Sequence, residues 1–224
     1  MQMKTRMKYR SVVESFRLKV ESWREMIELK DKIILITGAG KGAGRLLAEA
    51  FAKQGAIIAA NDISPINVEE VVAKINADGG KARAYIEDVA KKVGAQALIK
   101  SVEDDFGGID ILITHAAVEP HTPLLSMDEW DWHRTLDVNL TGAFLTMQSA
   151  GRVMREKGKG EIFNIVTGAG KGSNDAGAYL ASMAGLVELS RQAEREFNPL
   201  GIRVTVIKNS ADVVREVMSA LEEK

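Results

Sequence analysis

The chain has 224 residues, 46% hydrophobic and 27% charged, ordinary values that exclude a wholly disordered or fibrous chain and suit one domain with a short appendage. Cysteine is absent, which excludes disulfides, thiol nucleophiles, iron–sulfur clusters and cysteine-bound zinc; the three histidines (His115, His121, His133) form no HExxH-type pair, so no metal site is expected. A net charge of −1 leaves no footprint for nucleic acid, and no apolar run approaches the roughly 18 residues of a membrane span.

Residues 1–30 read as a helical extension and 31–224 as the main domain. The extension carries eight Lys/Arg against four Glu, and Tyr9, Val13, Phe16, Val20, Trp23 and Ile27 recur at spacings of 4 and 3. That is an apolar helical stripe between charged flanks, suited to a partner or membrane surface, or to docking on its own body or a sister subunit. Its acids fit a mitochondrial presequence poorly, and it has no signal-peptide apolar core, so a cytoplasmic protein is expected.

From Lys32 strands and helices alternate. Lys32–Thr37 (KIILIT) is a buried-strand run, followed by a glycine-rich turn and a helix over about Gly44–Lys53. Ala56–Asn61 (AIIAAN) is the second strand, and Ser64-Pro65 supplies an N-cap and first-turn proline for a helix over Ile66–Ala77. Ala82–Ile86 is a weaker third strand before a helix over Lys91–Phe106, and Ile109–Thr114 (IDILIT) is the fourth. Ser126-x-x-Glu129 has the form of a capping box for one long helix reaching Glu156. Strand five is Glu161–Thr167, a helix spans Ala178–Phe197, strand six is Ile202–Ile207, and an amphipathic helix covers Ala211–Leu221. Short apolar strands alternating with helices imply a doubly wound α/β fold, a parallel sheet of about six strands covered on both faces.

The turn Thr37-Gly38-Ala39-Gly40-Lys41-Gly42-Ala43-Gly44 lies between the first strand and helix. Glycines there let the backbone approach a phosphate, and the helix start offers free N–H groups to an anion. Asp62 ends strand two, 24 residues after Gly38. An acid at that place accepts ribose hydroxyls and repels a 2′-phosphate, which favours NAD. The same residue also suits a solvated loop or a cap for the next helix. Lys41 can meet an extra phosphate, so NADP is the less favoured coenzyme.

These residues resemble the short-chain dehydrogenase/reductase family. TGAGKGAG is similar to its TGxxxGxG coenzyme turn, with Gly38, Gly42 and Gly44 in the glycine places. Asp88-Val89 resembles the pair that contacts adenine. Asp128-Glu129-Trp130-Asp131 and Leu136–Gly142 resemble the long-helix motif, with Asn139 at the place of the catalytic-site asparagine. Tyr179 resembles the catalytic tyrosine. The likeness runs from about Lys32 to Ile207 and implies a Rossmann-type sheet, a bound dinucleotide and oxidoreduction of a carbonyl/alcohol pair.

The departures fall on the chemistry. Four residues after Tyr179, where the family has lysine, stands Met183. The family's lysine lowers the tyrosine pKa and holds the nicotinamide ribose; methionine brings neither charge nor donor. Unassisted, a tyrosine of pKa ~10 is only about 0.1% phenolate at pH 7. Thr167 falls where the family's serine orients the substrate carbonyl, twelve residues before Tyr179 and one fewer than usual; it also suits a strand end chosen for β-propensity. Ser173 is an alternative hydroxyl. The family's NNAG reads Thr114-His115-Ala116-Ala117, with His115 either a proton carrier or a structural replacement. After strand six the family continues through Pro-Gly to a substrate lid and a seventh strand; here Lys208-Asn209-Ser210 leads straight into the last helix.

Two functions follow from the resemblance. One is an NAD-dependent oxidoreductase, with Tyr179 as general acid/base, Thr167 orienting the carbonyl, and Asn139 holding a water or a helix bend. The other is a non-catalytic dinucleotide-binding or scaffold protein; a methyltransferase-type nucleotide binder is disfavoured by Tyr179 and Asn139 in their places. Expected partners are a small carbonyl/alcohol substrate and a second copy or a related subunit, with no nucleic acid and no membrane span.

Overall fold

All five residues of β1 (Ile33–Thr37) are buried, as in a strand covered on both sides. The computed structural model describes residues 29–167 and 175–222. The expected helix over residues 9–27, and Ser173, lie outside the described residues. After β1 come α1 (Gly42–Lys53), β2 (Ile57–Asn61), α2 (Pro65–Ala77), β3 (Lys81–Tyr85), α3 (Lys92–Phe106) and β4 (Ile111–Thr114). Then follow α4 (Glu129–Leu136), a π-helical turn (Asp137–Thr141), α5 (Gly142–Lys157), β5 (Gly160–Val166), α6 (Gly177–Phe197), β6 (Ile202–Lys208) and α7 (Val213–Glu222). Every strand pairing is parallel, in the order β3-β2-β1-β4-β5-β6. The chain runs outward from β1 to β3, then restarts beside β1 with β4. That reversal opens a crevice beyond the carboxyl ends of β1 and β4, where a doubly wound sheet takes its ligand.

Strand side chains alternate between two cores. Ile34, Ile36, Ile58, Ile111, Ile113, Phe163 and Ile165 meet Leu47 and Phe51 of α1, Val68 and Val71 of α2, and Val217 of α7. Ile33, Leu35, Leu112, Ile162, Ile202 and Val204 meet Leu98 and Val102 of α3, Met147 and Met154 of α5, and Ala193 of α6. A smaller cluster of Ala143, Val166, Ala176, Tyr179, Met183 and Leu186 lies where α5 and α6 approach the end of β5. On the outer strand β3, Lys81 and Arg83 are exposed and pair with Asp31 at 3.5 Å and Asp105 at 2.7 Å.

Three local expectations need correction. The capping box does not form: Ser126 Oγ donates to the Pro123 carbonyl, and Asp128 caps α4 by accepting from Asp131 N at 2.7 Å. The long helix is interrupted at Asp137–Thr141, where the backbone bonds widen to the π pattern around Asn139. Strand four starts at Ile111 rather than Ile109, because Asp110 is engaged with Ile33: its N–H donates to the Ile33 carbonyl and its carboxylate accepts from Ile33 N, both at 2.9 Å. Ser64 holds the cap position of α2, but its hydroxyl makes no cap bond.

Candidate functional site

The turn after β1 is held by backbone contacts. Thr37 Oγ1 accepts from the N–H groups of His115 (3.1 Å) and Ala116 (3.3 Å), tying the loop after β4 to the end of β1. Gly38 has φ +67°, and a Cβ there would stand 2.8 Å from Ala116 Cα. A Cβ on Gly44 would stand 2.2 Å from the Gly38 carbonyl oxygen, so strand and helix approach too closely for any side chain. Helix α1 begins with Lys41 at its cap position and no side chain satisfying the first N–H groups. A bare helix start beside glycine backbone is a seat for an anion.

Asp62 braces this turn. One carboxylate oxygen accepts from Gly40 N and the other from Ser64 N, each at 2.9 Å. It thereby holds the loop that leads into α2, whose cap position is Ser64, and it lines the cleft with further lone pairs available to hydroxyl donors. Gly40, which the sequence motif does not single out, is part of this device, since a Cβ there would lie 2.7 Å from Asp62 Oδ2. Next to it, Asn61 Nδ2 donates to the carbonyls of Tyr85 and Glu87, both at 3.1 Å, fixing the path towards Asp88 and Val89. Asp88 accepts from Ala90 N at 3.0 Å and lies 3.9 Å from the Arg134 guanidinium.

The other wall comes from β5, β6 and α6. Tyr179, in the first turn of α6, is 4% exposed. Burial raises its pKa above the ordinary tyrosine value, a hydrogen bond from the Thr167 hydroxyl pulls it back, and the negative charge of Glu119 raises it again. Met183 lies one turn further along α6, buried in the apolar cluster with Tyr179 and Leu186. Asn209 Nδ2 donates to Thr167 Oγ1 at 3.0 Å.

Asn139 is committed elsewhere. Its Oδ1 accepts from Val118 N (2.8 Å), and its Nδ2 donates to the Val118 carbonyl and to Ser182 Oγ, both at 3.0 Å. Ser182 in turn donates to the Tyr179 carbonyl at 2.7 Å. The side chain thus clamps the loop after β4 to the first turn of α6 from within the π turn. It lies off the main cleft, beside a small adjoining void. His115 Nδ1 sits 3.3 Å from the Gly38 carbonyl, and burial lowers its pKa, so the neutral ring donating from Nδ1 is the favoured form.

One cleft of about 490 Å³ gathers Gly38, Lys41, Gly42, Asp62, Asp88 and Val89 with Thr167, Tyr179 and Met183. Gly44 supports it from beneath. Glu119, Arg134 and Asn209 also line it, and sequence reasoning missed all three as site residues. Glu119 and Arg134 carry no spacing signal; Asn209 stands just after strand six, at the point where the sequence departs from Pro-Gly. Among the described residues no group of three or more His, Asp or Glu side chains is arranged to hold a metal, and no helix is long and apolar enough to cross a membrane.

Known proteins are similar to this chain in sequence and in fold. D-threitol dehydrogenase of Mycolicibacterium smegmatis is 38% identical over 180 residues, which are 80% of this chain and 69% of that one. The 3-oxoacyl-[acyl-carrier-protein] reductase of Synechocystis is 34% identical over 184 residues, 81% of this chain and 74% of that one. Among solved structures, NAD+-bound xylitol dehydrogenase superposes with a TM-score of 0.77 at 29% identity, covering 88% of this chain and 79% of that one. A metagenomic short-chain oxidoreductase in complex with NADP gives a TM-score of 0.81 at 25% identity, covering 88% and 94%. The sequence model described as short chain dehydrogenase matches residues 32–215, the stretch that carries the glycine turn, the π turn and Tyr179 alike. With the turn, the sheet order and the tyrosine in one cleft, the chain belongs to the short-chain dehydrogenase/reductase family.

Proposed function

We propose that this chain is a slow, NAD-preferring oxidoreductase that interconverts a carbonyl and an alcohol. The observation that carries the reading is one cleft in which the glycine turn stands together with Thr167 and Tyr179. The turn fits a dinucleotide on its own geometry: side chains are excluded at Gly38 and Gly44, and the start of α1 is uncapped. Gly38, Gly42 and Lys41 would hold the pyrophosphate, Asp62 the adenosine ribose, and Asp88 and Val89 the adenine side of the cleft. The coenzyme, when bound, supplies the hydride chemistry. Asp62 supports NAD, although similar structures hold NAD+ in one case and NADP in another. Polyol dehydrogenases among the similar proteins support a small hydroxylated substrate.

The residues of the chain handle the proton. With substrate bound, Thr167 turns its one proton from Tyr179 to the substrate oxygen and orients it. Tyr179, neutral at physiological pH as any tyrosine of ordinary pKa is, and held further that way by burial, is ready to give its proton to that oxygen during reduction. Oxidation needs the phenolate first, so it is the harder direction. With Met183 in place of an ammonium, nothing on α6 offsets burial and Glu119. General acid–base help is worth about 10²–10⁴ in rate, and much of that is lost here. Met183 also supports a second reading, a coenzyme-binding protein without turnover. Exposed Phe144 on α5 and Leu180 on α6 support assembly with a second copy or a related subunit.

Calorimetric titration with NAD(H) and NADP(H), followed by carbonyl reduction by the wild type and Tyr179→Phe, tests both readings. Saturable binding, tighter for NAD(H), and turnover lost in Tyr179→Phe without loss of binding are expected. Binding with no turnover leaves the second reading; no binding of either coenzyme removes both.

A further inference from the structure

We propose that Asn209 is a positioning residue that aims the Thr167 hydroxyl: its side-chain amide fills an acceptor site on Thr167 Oγ1, so the one Thr167 proton is left for the opposite side, towards Tyr179 in the free protein. The inference rests on the oxidoreductase reading for its benefit, though its geometry is independent of turnover.

The placement follows from the sheet. Val166 and Lys208 are the last paired residues of β5 and β6. One step further, Asn209 N donates to the Val166 carbonyl at 2.7 Å, extending the ladder past the end of β6. This fixed backbone sets Asn209 beside Thr167, and Asn209 Nδ2 donates to Thr167 Oγ1 at 3.0 Å. Both residues line the cleft with Tyr179.

A hydroxyl has one proton and two lone pairs, whereas an amide nitrogen only donates. With Asn209 donating, Thr167 Oγ1 is the acceptor at that end, and its proton is left for the other end. The hydrogen bond that Thr167 gives Tyr179 works against burial and against Glu119, the charged group raising the phenol from the loop after β4. Lys41, His115, Asp88 and Arg134 line the same cleft. Asn209 therefore supplies, through a neutral relay, part of the help that a lysine at position 183 would give by charge.

An aspartate at 209 has the same shape but only accepts. Asn209→Asp captures the Thr167 proton and turns the hydroxyl away from Tyr179; Asn209→Ala leaves the hydroxyl free to choose. The experiment uses the full chain, free of coenzyme, grown with difluorotyrosine so that ionisation falls nearer neutrality. The three tyrosines, Tyr9, Tyr85 and Tyr179, are followed by fluorine NMR, with Tyr179→Phe assigning the signal. We expect the Tyr179 midpoint to rise from wild type to Asn209→Ala to Asn209→Asp, the last by about one pH unit, or about ten-fold in phenolate fraction. In a Thr167→Val background the effect of Asn209→Asp should shrink to its through-space part. Equal midpoints in wild type and Asn209→Asp overturn the proposal, as does an Asp effect undiminished by Thr167→Val. If Asn209→Asp does not fold, Asn209→Ala and Asn209→Ser against Thr167→Val carry the same comparison, with a rise that Thr167→Val abolishes expected and no rise overturning it. The NMR ordering can hold in a protein that turns nothing over, so failure of the catalytic reading is seen separately.

Discussion

The two walls of the cleft are made from different parts of the chain's chemistry. On the β1–β2 side the decisive contacts all end on backbone groups: the close passage of Gly44 over the Gly38 carbonyl, and the Thr37 hydroxyl and Asp62 carboxylate each accepting two backbone N–H groups. On the β5–α6 side they are side chains: Thr167, Tyr179, Met183 and Asn209. A backbone site depends on a few positions that exclude Cβ atoms. A side-chain site is remade by one substitution, as at position 183. On the proposed function, binding and chemistry fall to different walls, and each can be altered while the other is watched.

The sharpest break comes from Gly44→Val. Its Cβ would lie 2.2 Å from a backbone oxygen that has no rotamer to move away. Coenzyme affinity should fall by at least about 100-fold by calorimetry, with stability in urea reduced by about 1–3 kcal/mol, as for other overpacked sites. Near-normal affinity would mean that the backbone does not define this wall.

Met183→Lys probes the opposite wall. The residue lines the cleft, and an ammonium there lowers the Tyr179 pKa through charge. Turnover in carbonyl reduction should rise by about 10²-fold, and oxidation should set in at lower pH, with coenzyme affinity changed by less than about ten-fold. The cost is a charge placed at a site only 6% exposed, seen as a lower melting temperature. Unchanged turnover in a folded, coenzyme-binding variant would show that the pocket itself has gone.

The smallest expected effect lies at the seam between the walls. Burial lowers the His115 pKa, so the unfolded chain binds a proton there before the native state does. The associated stability is present above the ordinary histidine value of about 6.5 and is lost as pH falls towards the lowered one. His115→Asn should therefore flatten the fall in stability between about pH 7 and pH 5, by a slope no greater than one proton, about 1.4 kcal/mol per pH unit. An identical slope in both proteins would mean that His115 is not held neutral.

The fold was legible because its signal is local and repeated. Buried β-branched runs such as Ile33–Thr37 and Ile111–Thr114, each followed by a helical period, admit few arrangements other than a parallel sheet. The glycine turn was legible for the same reason, since strand, glycines and helix are contiguous. The π turn was not, because Asp137–Thr141 continues a helical pattern and its widening is set by what Asn139 reaches, the Val118 backbone and Ser182. Nor did the sequence reveal that Asp62 is shared between Gly40 and Ser64. Glu119 and Asn209 come from loops after different strands, 90 positions apart, and only the sheet order brings them to one cleft.

The outer strand β3 bears on how copies of this chain can meet. Its exposed Lys81 and Arg83 alternate along the last rung of the sheet, each balanced by a carboxylate of its own chain. A strand from another molecule adding there would have to desolvate two cations already paired within this one. The β3 margin is thereby guarded against edge-to-edge aggregation.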